Sequence, residues 1–400
     1  MASETLLVAA TPFNWIDPRN IPRRRFVYGH HYARGYLSQT VAAPGVGKSS
    51  LAIVEALAIA TGRDLLAVQP AEKTSVWYYN GEDPRDELQR RIAAATLFYA
   101  IEPSDLVGHL FIDSGRNMPI TVALKRERNS APNDAVVAQI ITTIKENRIG
   151  VLIVDPFIST HRLSENDNGD MELVATIFAR IADETNCAIE LVHHPRKTNG
   201  AAVDAEDGRG GSSILAKARS VRTLNHLAPN DALAAGVKHA REYFCAANGK
   251  GNLVAPGDVP QCWFRLVSKR LPNGDSVGVV EACKKPSAMS SVLPGDLEKA
   301  QAAVAAGRYR ANAQSPDWAG HAVGKALSID THTKAGKTKV NGLLRGWTKE
   351  GYFAVVNGQD ASRQTRSFLE VGKPAGPVAP ATDDASAGDT SEAATPQMLH

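Results

Sequence analysis

The chain has 400 residues, of which 43% are hydrophobic and 22% are charged. That balance is typical of folded globular domains and excludes a fibrous or wholly disordered chain. Its 45 Lys and Arg stand against 42 Asp and Glu, so the net charge of +3 is too small to indicate a nucleic-acid partner unless the basic residues cluster locally.

The cellular location is predicted from what the sequence lacks. No apolar run approaches the roughly 20 residues that a membrane helix needs, and the first ten residues carry Glu4 and no basic residue, unlike a signal peptide. The four Cys form no Cys-x-x-Cys pair, which disfavours a disulfide scaffold and a structural zinc site. We expect a cytoplasmic protein with no membrane segment.

Composition divides the chain into five regions. We predict an N-terminal arm, an α/β domain, a linker, a small C-terminal domain and a disordered tail, with the boundaries 1–35, 36–285, 286–294, 295–371 and 372–400. The tail holds Pro, Ala, Gly, Ser and Asp with little apolar bulk, so it cannot offset the entropy of ordering.

Apolar strands alternate with amphipathic helices through the second region. The predicted strands are 36–41, 75–80, 110–113, 150–154 and 188–192, and the predicted helices between them are 49–61, 84–98, 135–147 and 170–185. This alternation predicts a mostly parallel sheet covered by helices on both faces. Strands at 243–247, 263–269 and 277–282 predict a β-rich extension, with a turn at Asn273-Gly274.

A phosphate-binding loop follows the first strand of this region. The residues Ala43, Pro44, Gly45, Val46, Gly47, Lys48, Ser49 and Ser50 fit the Walker A pattern, with Ala42 in place of its first Gly. Glycines let backbone N–H groups turn toward a β-phosphate, and the start of a helix adds its positive dipole end. We predict that Lys48 contacts the β- and γ-phosphates of ATP and that Ser49 binds Mg²⁺.

Two carboxylates are predicted beside this loop. Asp155 ends the apolar strand 150–154, where a carboxylate can hold Mg²⁺ directly or through water. Glu82 follows the strand 75–80 and is the predicted catalytic base for water. The alternatives are a turn Asp for the first and a helix-start carboxylate for the second.

His193 and His194 follow the strand 188–192 at the same predicted edge of the sheet. A polar side chain there can contact the γ-phosphate and transmit its loss to neighbouring loops. We predict this sensor role for His193 rather than His194. The alternatives are a satisfied core histidine or a metal ligand, and no third ligand stands nearby in the sequence.

The order of these motifs resembles that of the RepA-type hexameric replicative helicases of plasmids, within the RecA-like P-loop ATPases of AAA type. The resemblance covers about residues 12–285, and its most specific part is the run from Val151 through His193-His194 to Gly211-Ser212-Ser213. It implies a homo-hexameric ring with ATP between neighbouring subunits and single-stranded DNA in the pore.

The resemblance also implies an arginine that acts on the neighbouring subunit's ATP, shortly after the Gly-Ser-Ser element. Arg219 is the first candidate and Arg222 the second; the alternative is a solvated basic strand face. The loops 160–170 and 195–211 would line the pore. Their acidic residues equal or outnumber their basic ones, so the sequence leaves open that they are ordinary surface loops.

The C-terminal region 295–371 holds 11 Lys or Arg against 7 Asp or Glu. Helices at 297–308, 316–327 and 338–351 precede strands at 352–356 and 367–371, joined by a predicted turn at Asn357-Gly358. Three helices and a β-hairpin predict a winged-helix-like domain, with Lys334, Lys337 and Lys339 at the DNA-contacting helix and Arg363 and Arg366 on the wing. We expect this domain to bind duplex DNA or, as the alternative, a protein.

We therefore expect an ATP-hydrolysing DNA motor, a hexameric helicase for replication of a mobile element. The alternative is an ATP-switched DNA-binding regulator or a recombination mediator that never unwinds a duplex. Glu82 favours hydrolysis, whereas the C-terminal domain favours a DNA-bound regulator.

Overall fold

A computed structural model describes residues 10–127, 129–195, 202–208, 211–255 and 257–375, with the backbone alone at 211 and 212. These residues separate into two compact units. The first unit comprises the described parts of 1–228 and 239–285, and the second comprises 229–238 with the described part of 286–400. None of the helices described is both long and apolar enough to cross a bilayer.

The first unit is built from strands and helices in alternation. Its strands are β1 (Phe26–Tyr28), β2 (Tyr32–Ala33), β3 (Leu37–Ala42), β4 (Ser75–Asn80), β5 (Leu110–Ser114), β6 (Ala123–Arg126), β7 (Asn129–Pro132), β8 (Ile149–Asp155), β9 (His161–Arg162), β10 (Ala188–His193), β11 (Ser220–His226), β12 (Tyr243–Gly251), β13 (Cys262–Arg270) and β14 (Ser276–Cys283). Its helices are α1 (Lys48–Thr61), α2 (Arg85–Tyr99), α3 (Asp134–Glu146), α4 (Asn168–Thr185) and α5 (Gly211–Lys217).

Nine of these strands form one sheet in the order β14-β13-β12-β11-β3-β10-β8-β4-β5. The six from β11 to β5 pair in parallel, and β12, β13 and β14 extend the sheet antiparallel. The predicted α/β fold with a mostly parallel sheet and a β-rich extension is therefore confirmed. The parallel arrangement brings the carboxyl ends of β3, β4, β8 and β10 to one edge.

Apolar residues fill both faces of the sheet. On one face α1 packs against alternate residues of the strands, and every residue of α1 from Leu51 to Ala60 is buried. On the other face α3 and α4 pack in a second apolar cluster. Every residue of β4 and of β8 is consequently buried, which is why their sequences are almost continuously apolar or aromatic.

Six strands of the first unit escaped sequence analysis, namely β1, β2, β6, β7, β9 and β11. β1 and β2 form a short antiparallel hairpin within the region 1–35, where Val27 and Tyr32 are fully buried. β11 was not predicted either, although it lies at the centre of the sheet beside β3. Its sequence, with Arg222, Asn225 and His226 among apolar residues, lacks the run that marked its neighbours.

The second unit combines four helices with a small sheet. It comprises α6 (Pro229–Ala235), a 3-10 helix (Ala288–Ser291), α7 (Asp296–Ala305), β15 (Tyr309–Arg310), α8 (Ala319–Ala326), α9 (Lys334–Lys349), β16 (Phe353–Gln359) and β17 (Thr365–Val371). The strands are antiparallel in the order β15-β17-β16. Trp318 and Trp347 lie in its core, and so does Ala288 of the segment that sequence analysis assigned to a linker.

The predicted turn at Asn357-Gly358 is wrong. Both residues lie inside β16, where Asn357 pairs with Ser367. The chain reverses instead at 360–364, because the Asp360 carboxylate accepts hydrogen bonds from the backbone N–H groups of Ser362 and Gln364. The predicted tail falls outside the described residues from 376 onward.

Candidate functional site

The loop between β3 and α1 has the conformation that phosphate binding requires. Gly45 and Gly47 have φ angles of 78° and 115°, which residues with a Cβ rarely adopt. Ala42 is the last residue of β3 and pairs with Leu224, so the position where the motif usually has Gly is ordinary strand here. That placement explains why Ala is tolerated.

The structure brings Lys48, Glu82 and Asp155, but neither His193 nor Arg219, to one cleft of about 740 Å³ at the carboxyl edge of the sheet. Its walls include Pro44, Gly45, Gly47, Lys48, Ser49, Ser50, Glu82, Asp155 and His194. Two predicted binding residues do not line it. Val46 is buried in the core against α1, and Ala43 contributes its carbonyl oxygen to Lys48 instead.

Lys48 lies folded against its own loop. Its Nζ donates hydrogen bonds to the carbonyl oxygens of Ala42 and Ala43 at 2.8 and 2.9 Å. Burial lowers the pKa of Lys48 to about 8, although the negative charges of Asp155 and Glu82 act in the opposite direction. A polyanion bound in the cleft would stabilise the charged form of Lys48, which burial disfavours.

Asp155 is held at the bottom of the cleft. Its Oδ2 accepts a hydrogen bond from the Tyr78 hydroxyl at 2.7 Å, and Ser49 hydrogen-bonds to the same carboxylate. Burial raises the pKa of Asp155, and these two hydrogen bonds oppose the shift. A carboxylate beside a hydroxyl offers the hard oxygen ligands that Mg²⁺ takes, so Ser49 and Asp155 fit this ion.

Glu82 is positioned by a turn that Asn80 organises. The Asn80 Oδ1 accepts hydrogen bonds from the backbone N–H groups of Glu82 (3.0 Å) and Asp83 (2.7 Å), and its Nδ2 donates to the Tyr78 hydroxyl at 3.3 Å. Partial burial and repulsion from Asp155 raise the pKa of Glu82, which suits a general base. Sequence analysis missed Tyr78 and Asn80, since the two appeared as ordinary strand residues.

The two histidines at the end of β10 lie in different environments. His194 lines the cleft, whereas His193 is fully buried with its ring centroid 4.6 Å from that of Phe157 on the opposite face of the sheet. Successive residues of a strand alternate in direction, so both could not face the cleft. The geometry favours His194 over the predicted His193 as the residue near the phosphates.

The wall opposite the phosphate loop was not predicted. Arg91 of α2 forms ion pairs with Asp83 (3.1 Å) and Glu87 (3.0 Å), and Arg90 pairs with Asp275 (2.9 Å) at the β13–β14 turn. Arg90 and Arg91 stand three and four residues after Glu87, a spacing that predicts neighbours on a helix. Nothing in the sequence, however, predicts that α2 contacts the turn between β13 and β14.

Arg222 is committed to a buried ion pair. Its Nη1 and Nη2 lie 2.6 and 2.7 Å from the two carboxylate oxygens of Glu55, and its Nε donates to Thr40 Oγ1 at 2.8 Å. The Arg222 side chain is 13% exposed and that of Glu55 is 2% exposed. Tyr32 also donates to Glu55, at 2.6 Å. Arg222 is therefore held within its own chain, whereas Arg219, the other predicted trans-acting candidate, is exposed.

Arg219 is exposed immediately before β11. Ser220 is paired with Ser38, whereas Leu224 is paired with Ala42 at the phosphate loop. Five residues of strand therefore separate Arg219 from its own cleft, about 16 Å at 3.3 Å per residue.

The two predicted pore loops are described unequally. In the first, Phe157–Thr160 is a 3-10 helix, β9 pairs with β6, and Asp167 caps α4 by accepting from the Asp170 backbone at 3.0 Å. In the second, Arg196, Lys197 and Arg209 lie outside the described residues. Its described part, 202–208, contains a 3-10 helix whose start is capped by Asp204 and Asp207.

Among the described residues, no group of three or more His, Cys, Asp or Glu could hold a metal ion.

The fold of this chain is similar to that of two solved structures. The RadB recombinase is 14% identical, with 63% of this chain and 93% of that chain covered at a TM-score of 0.40. A DnaB-like replicative helicase is 12% identical, with 61% and 57% covered at a TM-score of 0.43.

Similarity at that level carries no argument about activity. The match to a protein-family model rests on the sequence itself. Residues 2–200, which include the phosphate loop, Glu82, Asp155 and His194, match the model of the AAA domain family. The match spans 199 of the 400 residues and assigns this part of the chain to the AAA domain family, and the sheet and phosphate loop have the arrangement of a P-loop fold.

Proposed function

We propose that this protein is an ATP-hydrolysing DNA motor that assembles as a ring of six, a replicative helicase of a plasmid or another mobile element. The observation that carries the proposal is the convergence of Lys48, Glu82 and Asp155 on one cleft. A passive nucleotide switch needs the lysine and the metal ligand, but it has no need of a carboxylate poised to act on water.

Each group has one task in this proposal. Lys48 binds the β- and γ-phosphates, and Glu82 orients the attacking water and accepts its proton. Ser49 and Asp155 hold Mg²⁺, which neutralises charge on the phosphates when it is bound. The Tyr78–Asn80 hydrogen bonds keep Glu82 and Asp155 in a fixed relation, so both carboxylates address the same phosphate.

The place of Arg219 supports the proposed ring. A cation about 16 Å from its own phosphate loop cannot reach its own nucleotide. In a closed ring with head-to-tail contacts, the same residue can lie at the neighbour's cleft and stabilise charge on the γ-phosphate. We assign this trans-acting role to Arg219.

DNA engagement is assigned to two regions. Single-stranded DNA would pass along the loops 160–170 and 195–211, and the winged-helix-like second unit would attach duplex DNA or a protein partner. The second unit supports attachment, since residues 295–371 carry four more basic than acidic residues.

One observation favours the second candidate function, a DNA-bound regulator or recombination mediator that does not unwind. The loop 160–170 holds three acidic residues against one Arg or Lys, and the loop 195–211 holds three of each. Loops without an excess of basic residues bind a phosphate backbone weakly.

The deciding experiment measures ATP turnover with and without single-stranded DNA, together with strand displacement on a forked duplex. The motor predicts stimulation by the single strand and displacement that Glu82→Gln abolishes. Stimulation without displacement would favour the regulator, and turnover that persists in Lys48→Ala would remove both. Mass photometry with ATP reports the ring size.

A further inference from the structure

The turn that carries Glu82 leaves the sheet between the ends of two other strands. Asn80, the last residue of β4, is paired with Ser114 of β5 on one side and with Asp155 of β8 on the other. The chain continues from Asp155 into the 3-10 helix Phe157–Thr160. Segments from β5 and β8 therefore flank the turn, and each of them contacts it.

The contact on the β8 side leaves no room for a side chain at residue 81. A Cβ placed on Gly81 would overlap the Cβ and Oγ of Ser159, whereas the Ser159 Cα would lie 3.6 Å away, an ordinary van der Waals distance. The φ angle of Gly81 lies outside the left-handed region, so its backbone would accept an L residue. The need for glycine at this position therefore comes from the Ser159 side chain.

Hydrogen bonds tie both partners of this contact to the end of β8. The Gly81 backbone N–H donates to the carbonyl oxygen of Asp155 at 2.9 Å. The backbone N–H and the Oγ of Ser159 donate to the carbonyl oxygen of Pro156 at 3.2 and 2.8 Å. Asp155 and Pro156 are consecutive, so the turn and the serine are anchored to the same short segment.

The β5 segment holds the turn from the opposite side. The Ser114 Oγ donates to the carbonyl oxygen of Asp83 at 2.6 Å, and the Arg116 Nε donates to the carbonyl oxygen of Glu82 at 2.7 Å. The β5 segment thus fixes the backbone of the turn through hydrogen bonds, and Ser159 fixes it through packing. A shift on either side would move the Glu82 carboxylate relative to the phosphate loop.

We propose that Ser159 is a positioning residue for ATP hydrolysis, because its packing against Gly81 holds Glu82 where it can act on water. This rests on the proposed function, in which Glu82 is the base. A base must stand within hydrogen-bond reach of the water that it deprotonates, and a misplacement of about 1 Å costs on the order of 100-fold in rate. Ser159 does not line the cleft, so it acts through the turn alone.

The test adds a methyl group at residue 81 and then removes the side chain that it meets. Gly81→Ala should lower single-turnover hydrolysis by about 100-fold while the affinity for ATP stays that of the parent protein, since the phosphate loop is untouched. Ser159→Gly alone should lower it by about 10-fold, because the turn loses its support. The double variant should be faster than either single variant, because the methyl group fills the space that the serine leaves.

Three matched controls show through which residue the effect passes. Ser159→Ala keeps the overlapping Cβ, so Gly81→Ala combined with it should stay slow. A Cβ on Gly115 would lie 2.7 Å from the Tyr79 hydroxyl and 2.9 Å from the Gly81 Cα, so Ser159→Gly should not rescue Gly115→Ala. In a Glu82→Gln chain, Gly81→Ala should cause little further loss, because no base is left to misplace.

Parent rates in Gly81→Ala, no rescue by Ser159→Gly, or an undiminished loss in the Glu82→Gln chain would each overturn the proposal. Thermal melting identifies any variant that is unfolded at the assay temperature. If Gly81→Ala is unfolded, Ser159→Gly alone decides, and a parent rate there overturns the proposal. The base assignment is judged separately, because normal hydrolysis by Glu82→Gln removes it, whereas slow hydrolysis by Glu82→Gln with parent rates in Gly81→Ala removes only the role of Ser159.

Discussion

Replacing Arg222 with Met tests whether this residue is structural or acts on a neighbouring subunit. The guanidinium makes two hydrogen bonds to Glu55 and one to Thr40. Its loss leaves the Glu55 carboxylate, 2% exposed, with the Tyr32 hydroxyl as its remaining partner. A buried charge stripped of its counter-ion destabilises a fold by about 3–5 kcal/mol.

The double replacement of Arg222 by Met and Glu55 by Leu sharpens the test. It removes both charges, so the electrostatic cost disappears, and it leaves Thr40 and Tyr32 each short of one hydrogen bond. Each loss costs about 1–3 kcal/mol where the group stays buried. We therefore expect the double variant to be more stable than Arg222→Met alone.

Urea unfolding followed by circular dichroism gives the free energy of unfolding of each variant, and ATP turnover is measured for the same variants. Arg222→Met should lose turnover in proportion to its unfolded fraction. A variant that kept its stability within about 1 kcal/mol of the parent protein would refute the argument, because a buried carboxylate that has lost its counter-ion must lower the free energy of unfolding.

Three further predictions concern the cleft. Glu82→Gln should bind ATP as the parent protein does, while single-turnover hydrolysis falls about 10²- to 10⁴-fold; normal hydrolysis would exclude this base. Because burial lowers the pKa of Lys48 to about 8, the affinity for ATP should be constant below that pH and fall about tenfold per unit above it. The slope should vanish in Lys48→Ala when a fluorescent ATP analogue is titrated from pH 7 to 9.5. Arg219→Ala subunits mixed equally with Glu82→Gln subunits should recover about a quarter of the parent turnover, since a quarter of head-to-tail interfaces then pair an intact cleft with an intact arginine. No recovery from mixed rings would exclude a trans role.

Elements with strong local signals were predicted well. The strand 75–80 was predicted with the bounds that the structure gives it, and α1 differs from its prediction by one residue. Both are long apolar segments next to a turn or a glycine, so local sequence decides them. The family match extends over the same part of the chain.

Features that depend on distant residues could not be predicted. Glu55 was visible as the one charge within the apolar run 51–60, but its partner lies 167 positions away on a strand that was not recognised. The choice between His193 and His194 depends on which face of β10 meets the cleft, and a strand buried on both faces carries no alternating pattern to decide it. Asn357-Gly358 is a strong local turn signal, yet Asp360 supplied more hydrogen bonds a few residues later.

The buried polar groups also bear on why the cleft has a fixed geometry. Arg222 on β11 bonds to Glu55 on α1 and to Thr40 on β3, and Thr40 in turn donates to Glu190 on β10. A slip of one residue would turn the side chains of a strand to the opposite face of the sheet, and the directional bonds between these charged and polar groups oppose it further. The catalytic groups stand at the ends of these strands and of their neighbours β8 and β4, so a slip of one residue would move a carboxylate about 3.3 Å relative to the phosphate loop. We infer that the network beneath the cleft holds the register on which the distances above it depend.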